Sequence, residues 1–175
     1  KIKSELGTNL ILNIENRVGN SASGIVRSGE IGSPPDIESN IAIVENLTNG
    51  TFIVDGSIPC KQIGKIKYNY ILTLENGEII DIKGQDKDKL NDIFNTQNTL
   101  AKVPAELGFG FNNKAKFSGY MLEDEGVYGS VHIGFGSNIT IGGKNDISFH
   151  LDMVISKPDV WLDDKLIIKK GEHVF

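Results

Sequence analysis

Apolar and polar residues alternate with a period of two along most of this chain, the signature of half-buried strands. Thr8 to Glu15 sets Leu10, Leu12 and Ile14 against Asn9, Asn13 and Glu15. Lys65 to Leu74 is the longest such run, with Ile66, Tyr68, Tyr70, Leu72 and Leu74 on one face. Glu75-Asn76-Gly77 then makes a hairpin turn, and Glu78 to Lys83 returns from it. Asn49-Gly50 reads as a second tight turn, joining a short Ile41 to Val44 strand to Thr51 to Val54. Further strands are expected over Ala105 to Asn112, which runs into a loop, over Ser130 to Phe135 and over Ser148 to Val154. Val160 to Leu162 and Lys165 to Ile168 flank Asp163-Asp164 as a last hairpin.

The interruptions carry information too. Gly19 to Gly24 is glycine- and serine-rich and reads as a flexible loop, and Ser28 to Glu38, with Pro34-Pro35, cannot be a central strand. Gly142-Gly143 is a turn. Helical spacing appears over Lys87 to Leu100, where Leu90, Ile93 and Phe94 share a face, Asp86 is placed to cap the start and Pro104 lies beyond the end. A single helical turn fits Leu122 to Tyr128. Strand signals outnumber helical ones, and no repeat or linker divides the chain. The expectation is one α+β domain over residues 1–175, mostly antiparallel β, with a main helix at about 87–100 and a short helical turn near 122–128.

Composition adds exclusions. With 39% hydrophobic and 23% charged residues the 175-residue chain is an ordinary globular one. Its net charge is −5 and no basic patch stands out, so no nucleic-acid partner is expected. No apolar run approaches the roughly 18 residues of a membrane span, so no membrane partner is expected either. Cys60 is the sole cysteine and cannot form an internal disulfide. A structural thiol in a reducing, cytoplasmic compartment is the expectation, and the sequons at Asn46 and Asn138 read as chance. Lys1 opens almost directly on strand-like sequence, which reads as the C-terminal part of a longer protein.

The chemistry centres on His150-Leu151-Asp152. Two residues apart on a strand, an imidazole and a carboxylate point the same way and can reach one metal ion. A polar pair on the solvent face of an edge strand gives the same pattern. His132 lies on a strand 18 residues upstream, also opposite the apolar face, and reads as a ligand or as a satisfied sheet histidine. Glu106 sits in an apolar-glycine context, where an unpaired carboxylate is costly to bury; otherwise it is a loop carboxylate. Together these two imidazoles and two carboxylates suit zinc, cobalt, manganese or ferrous iron. Gly-Phe-Gly-Phe (108 to 111) and Gly-Phe-Gly-Ser (134 to 137) lack the lysine and helix of a phosphate loop. Glu123, Asp124 and Glu125 read as an acidic helix face, and His173 as inert.

Four blocks between residues 104 and 152 resemble a known family: Pro-Ala-Glu-Leu-Gly-Phe-Gly-Phe-Asn, Gly-Tyr-Met-Leu-Glu-Asp-Glu, Gly-Ser-Val-His-Ile-Gly-Phe-Gly and Gly-Gly-Lys-Asn-Asp-Ile-Ser-Phe-His-Leu-Asp. Their order and wording are similar to the C-terminal part of the thermophilic metalloproteases, the family of aminopeptidases T and S. Ile14-Glu15-Asn16-Arg17 and Asn49 to Gly56 resemble further segments of it. The resemblance implies two divalent ions held by two glutamates, two histidines and an aspartate. Carried over by motif, these are Glu106, His132, His150 and Asp152, with Glu38 of Pro35-Asp36-Ile37-Glu38 as the fifth. It implies a bridging carboxylate, Glu106 or Asp152, with the histidines as terminal ligands. A general base would come from Glu38 or from Glu123 to Glu125, and the substrate would be a peptide or small molecule, with a possible homodimer. The chain departs from the family by carrying Ser137-Asn138-Ile139 where the aminopeptidases have a tyrosine, and by lacking their large N-terminal region. A related branch resembles non-haem ferrous dioxygenases that open dihydroxypyridine rings with a His-His-Asp set; its first histidine falls where this chain has Glu106. These resemblances leave a metalloaminopeptidase, an iron ring-cleaving dioxygenase and a non-catalytic metal-binding fragment as readings.

Overall fold

In the computed structural model, which describes residues 1–174, the expected mainly-β α+β fold is present as two antiparallel sheets. One has eight strands among the described residues, in the order Glu172–His173, Lys165–Lys169, Asp159–Leu162, Ile2–Lys3, Asn9–Ile11, Asn49–Val54, Tyr70–Glu75 and Glu78–Lys83. The other has seven, in the order Gly19–Ala22, Glu38–Ala42, Pro104–Gly110, Val131–Gly136, His150–Ile155, Ser57–Ile58 and Gly64–Lys65. The two apolar faces meet in a single core. Leu107, Val131, Ile133, Phe135, Leu151, Met153 and Ile155 of the second sheet join Ile2, Leu10, Phe52, Val54, Tyr70, Leu72 and Leu74 of the first. Each such side chain, fully buried, contributes about 1.5–3 kcal/mol. The Lys87–Asn95 helix adds Leu90 and Phe94, the latter edge-on to Phe135 at 6.5 Å between ring centroids. No helix among the described residues is long and apolar enough to cross a membrane.

Several local expectations change. The alternation of His150–Ile155 does not mark an edge strand: Leu151 to Ile155 are all buried, because neighbouring strands flank it on both sides and its polar face is covered as well. Gly19–Ala22 is not a loop but the outermost strand, paired with Glu38–Ala42. Asn49-Gly50 is not a hairpin turn. Gly50 lies within a strand opposite both Leu10 and Leu74, and a Cβ there would strike the Asn9 carbonyl, so the glycine serves close backbone approach rather than reversal. The strands on either side of it belong to different sheets. The Lys65 to Leu74 run divides for the same reason. Its first residue pairs in one sheet and Tyr70–Glu75 in the other, and Tyr68 is exposed on the crossing between them. The helix stops at Asn95, where its apolar stripe ends; Asn98 then caps a separate 3₁₀ turn, Thr99–Lys102, by accepting the Leu100 N–H. Asp86 stands at the helix start without capping it and instead pairs with Lys89 at 3.2 Å. The second helix is shorter than its expected span, Met121–Asp124.

Phe135→Ala should cost about 3–5 kcal/mol by urea unfolding, since it empties the centre of the shared core. Val18→Ala, at a residue 78% exposed, should stay within about 0.5 kcal/mol of the parent.

Candidate metal centre

The face of the seven-stranded sheet turned away from the core carries the polar residues. Alternation puts Glu38 and Asn40, Glu106 and Gly108, His132 and Gly134, and His150 and Asp152 on that face of four consecutive strands. Antiparallel register sets glycine opposite nearly every functional residue: Gly110 faces Glu38, Gly134 faces both Glu106 and Asp152, Gly108 faces His132, and Gly136 faces His150. A Cβ on Gly108 would overlap the His132 ring, and one on Gly134 would come within 2.5 Å of His150 Nε2. The glycine-phenylalanine repeats are thus floor and wall together. Their phenylalanines help build the hydrophobic side, and their glycines clear room for ligands on the other.

The structure brings together all five residues that the sequence nominated as metal ligands. His132 Nε2 lies 3.1 Å from Glu38 Oε2 and 3.8 Å from Glu106 Oε1. His150 Nε2 lies 3.4 Å from Glu106 Oε2 and 3.2 Å from Asp152 Oδ1. Two candidate donor sets result, Glu38–Glu106–His132 and Glu106–His150–Asp152, with Glu106 common to both. His132 and Asp152 are 1% and 3% exposed. The His150 side chain, 32% exposed, faces outward.

Glu123, the other candidate base, does not join them; it is half-buried, and its carboxylate accepts the Lys116 N–H at 3.2 Å. Glu125 does join them, because the buried Asp124 carboxylate collects the Ser118 and Gly119 amides and fixes the turn that aims its neighbour inward. Asp36, which the sequence offered only as wording around Glu38, completes a third set with Glu38 and Glu125. Cys60 is half-buried against the core, and the His173 ring stacks near Phe111 and Tyr128 at 4.7 and 5.0 Å.

Protonation follows from this crowding. Burial works to lower the basicity of both imidazoles but is outweighed. Bonds to Glu106 and Glu38 raise His132 well above the ordinary histidine value, and Asp152 with Glu106 raises His150 to about 9. Burial works to raise Asp152, yet the His150 bond and charge hold it at about 2. Burial and then the adjacent Asp152 push Glu125 up to about 10, and burial and then Glu38 push Asp36 up to about 6. Without a cation, then, the cluster retains protons that a metal would displace.

The donor chemistry fits a divalent metal. His150 Nδ1 lies 2.8 Å from the Ser137 carbonyl, which can only accept. The Nδ1 proton is therefore kept, and Nε2, beside Asp152, is the nitrogen whose proton a metal would displace, the second-sphere arrangement usual for histidine ligands. Ser137 is held in turn by Asn138, which is fully buried and donates to Glu45 and the Ala105 carbonyl, and by Asn145, which donates to the Gly136 carbonyl at 2.5 Å. The stretch that replaces the aminopeptidase tyrosine thus orients His150. A cavity of about 420 Å³ opens beside Glu106 and His150, walled by Ile141, Ile147 and Phe149 with the Thr140 and Ser148 hydroxyl residues at its rim.

A model of the 2,5-dihydroxypyridine 5,6-dioxygenase (NicX) family matches residues 1–175. The chain belongs to the NicX family. The 2,5-dihydroxypyridine 5,6-dioxygenase of Pseudomonas putida KT2440 is 26% identical over 142 residues, covering 74% of this chain and 41% of that protein. A structure of the 2,5-dihydroxypyridine dioxygenase from the same organism superimposes with a TM-score of 0.81 at 22% identity, over 99% of this chain and 54% of that one. Thermus thermophilus AmpT, the aminopeptidase T of the sequence resemblance, superimposes at 0.74 with 15% identity, over 97% of this chain and 48% of that one. This chain therefore spans about half the length of these relatives. The metalloprotease resemblance holds for the fold, while the family is NicX.

Gly108→Ala should remove bound metal, measured by elemental analysis, while far-ultraviolet circular dichroism stays near the parent's. A divalent ion at a hundredfold excess over its Kd should stabilise the protein by about 2.7 kcal/mol in thermal unfolding. The His150→Ala/Asp152→Ala double variant should lose the share of that response carried by the Glu106–His150–Asp152 set.

Proposed function

We propose that this chain carries the metal centre of a ring-cleaving dioxygenase acting on a small hydroxylated pyridine-like ring, with one ferrous ion held by Glu106, His150 and Asp152. Membership in the NicX family over the whole chain carries this reading, and the convergence of those three donors supports it. They come from strands on either side of Val131–Gly136 and project from one face of the sheet, and these donor types would suit a non-haem ferrous ion. Such an ion supplies the redox chemistry that joins dioxygen to an electron-rich ring.

The protein's part is orientation. Ser137 fixes the tautomer of His150. Ile141, Ile147 and Phe149 give an apolar lining against which a single ring would rest, and Thr140 and Ser148 add hydroxyl side chains to the same lining. The resemblance implied a histidine at position 106, so the set here is one histidine and two carboxylates.

A second reading rests on a separate observation. The two oxygens of Glu106 face different histidines, and Glu38 stands beside His132. Two divalent ions sharing Glu106 would supply an activated water, the chemistry of a metallohydrolase acting on peptide N-termini.

Metal analysis of anaerobically purified protein separates the two. The dioxygenase reading expects one iron per chain and oxygen uptake with 2,5-dihydroxypyridine, and Glu106→His, which restores two histidines and a carboxylate, should keep that iron. Two zinc-class ions per chain, peptide hydrolysis without oxygen uptake and loss of an ion in Glu106→His would select the hydrolase instead.

A further inference from the structure

We propose that Asp36, Glu38 and Glu125 form an additional cation site, selective for a hard ion of the magnesium, calcium or manganese(II) type, which shares only Glu38 with the histidine-containing sets. Each offers an oxygen within 4.8 Å of the others. All three are buried, at 4%, 8% and 8% exposure. Asp36 Oδ1 is buried without a hydrogen-bond partner, and Oδ2 receives only the Ser33 hydroxyl, at 3.3 Å. Glu38 Oε1 takes the Asn40 amide at 2.7 Å, while Oε2 is buried without a well-formed hydrogen bond and faces His132.

The cation nearest this cluster is the His132 imidazole, 3.1 Å from Glu38 Oε2, and no lysine or arginine among the described residues forms an ion pair with it. The lysine and arginine ion pairs among the described residues are Arg17–Glu45, Lys83–Asp81, Lys89–Asp86 and Lys170–Glu5, all elsewhere. Ionised carboxylates held this close in a poorly solvated site repel one another strongly. Either protons or a cation must relieve that repulsion.

The backbone around the site is built rather than loose. The Asp36 N–H bonds the Ser33 carbonyl at 2.9 Å, the Phe111 N–H bonds the Ile37 carbonyl at 2.8 Å, and the Asn112 side chain donates to the Pro35 carbonyl at 2.9 Å. Gly126 packs so closely on the Asp36-Ile37 backbone that a Cβ would crowd it. Two chain segments, one before Glu38 and one after Asp124, therefore present their carboxylates to one point.

Donor type separates this point from its neighbours. It offers oxygen alone, which suits hard cations, whereas the other two sets each include an imidazole nitrogen and suit transition metals. An ion here would tie the 33–38 segment to the Glu125 turn and hold Glu38, which borders the His132 set, in position.

The test is a manganese(II) titration of protein already saturated with zinc, followed by electron paramagnetic resonance of the free ion, with zinc content measured in parallel. The expected result is one manganese bound beyond the zinc complement. Asp36→Asn should weaken manganese binding about tenfold or more, by removing one charged ligand, with zinc content unchanged. Glu125→Gln should weaken manganese in the same way and serves as the reading if Asp36→Asn fails to fold by circular dichroism. The proposal is overturned if zinc-saturated protein binds no manganese, if manganese enters only as zinc leaves, or if both variants bind it as tightly as the parent. None of these outcomes depends on ring cleavage or peptide hydrolysis.

Discussion

Five carboxylates and two imidazoles crowd onto one covered face of a sheet to which no lysine or arginine is ion-paired among the described residues. That imbalance governs the rest. Burying a carboxylate without compensation is expensive, and in this interior compensation comes from histidine, from shared protons or from metal. The protein has tuned the first two to their limits: Asp152 is held strongly acidic by His150, and Glu125 is kept protonated beside it. A site arranged this way is poised to exchange protons for cations, and the apolar core behind it supplies the rigidity that such an arrangement demands.

The geometry is a product of register. In an antiparallel ladder a residue and its cross-strand partner share a face, so a bulky ligand needs a small partner. Gly108 meets that need beneath the His132 ring and Gly134 beneath His150 and Asp152, while Gly110 and Gly136 admit the close approach of the Gly126-Val127 backbone and of Phe149. The same scaffold underlies the dioxygenase structure from Pseudomonas putida and AmpT from Thermus thermophilus, and a fold does not by itself fix a chemistry. Position 106 is the pivot, because its two carboxylate oxygens are divided between the histidines.

Much of this was legible in the sequence, and the failures share a cause. Period-two alternation revealed the strands that bear His132 and His150, the blocks around them nominated Glu106, His132, His150 and Asp152, and the Pro35-Asp36-Ile37-Glu38 segment nominated Glu38; the structure brings these five candidate donors together. Alternation could not reveal which sheet a strand joins. Asn49-Gly50 looks like a turn because glycine's freedom serves reversal and close packing alike; only the neighbouring Asn9 carbonyl tells the two apart. The glycine-phenylalanine repeats were weighed as phosphate loops, since their purpose appears only when strands are laid side by side. Asp36 and Glu125 escaped a clear role because they arrive from irregular segments, where spacing carries no directional signal. The Ser137 carbonyl was invisible for a simpler reason, since backbone atoms leave no mark in a sequence.

Val131–Gly136 occupies the middle of the seven-stranded sheet, with three strands on either side. Sheets fray from their margins, and here the margins are the glycine-led Gly19–Ala22 and the two-residue Gly64–Lys65. Such fluctuations can come and go without parting His132 from Glu106. Among the described donors of the two histidine-containing sets, the His150 side chain stands most open to solvent. An ion that has settled on the deeper pair would therefore leave slowly, on the clock of whole-sheet opening, whereas one at the His150 flank would turn over on the clock of side-chain motion.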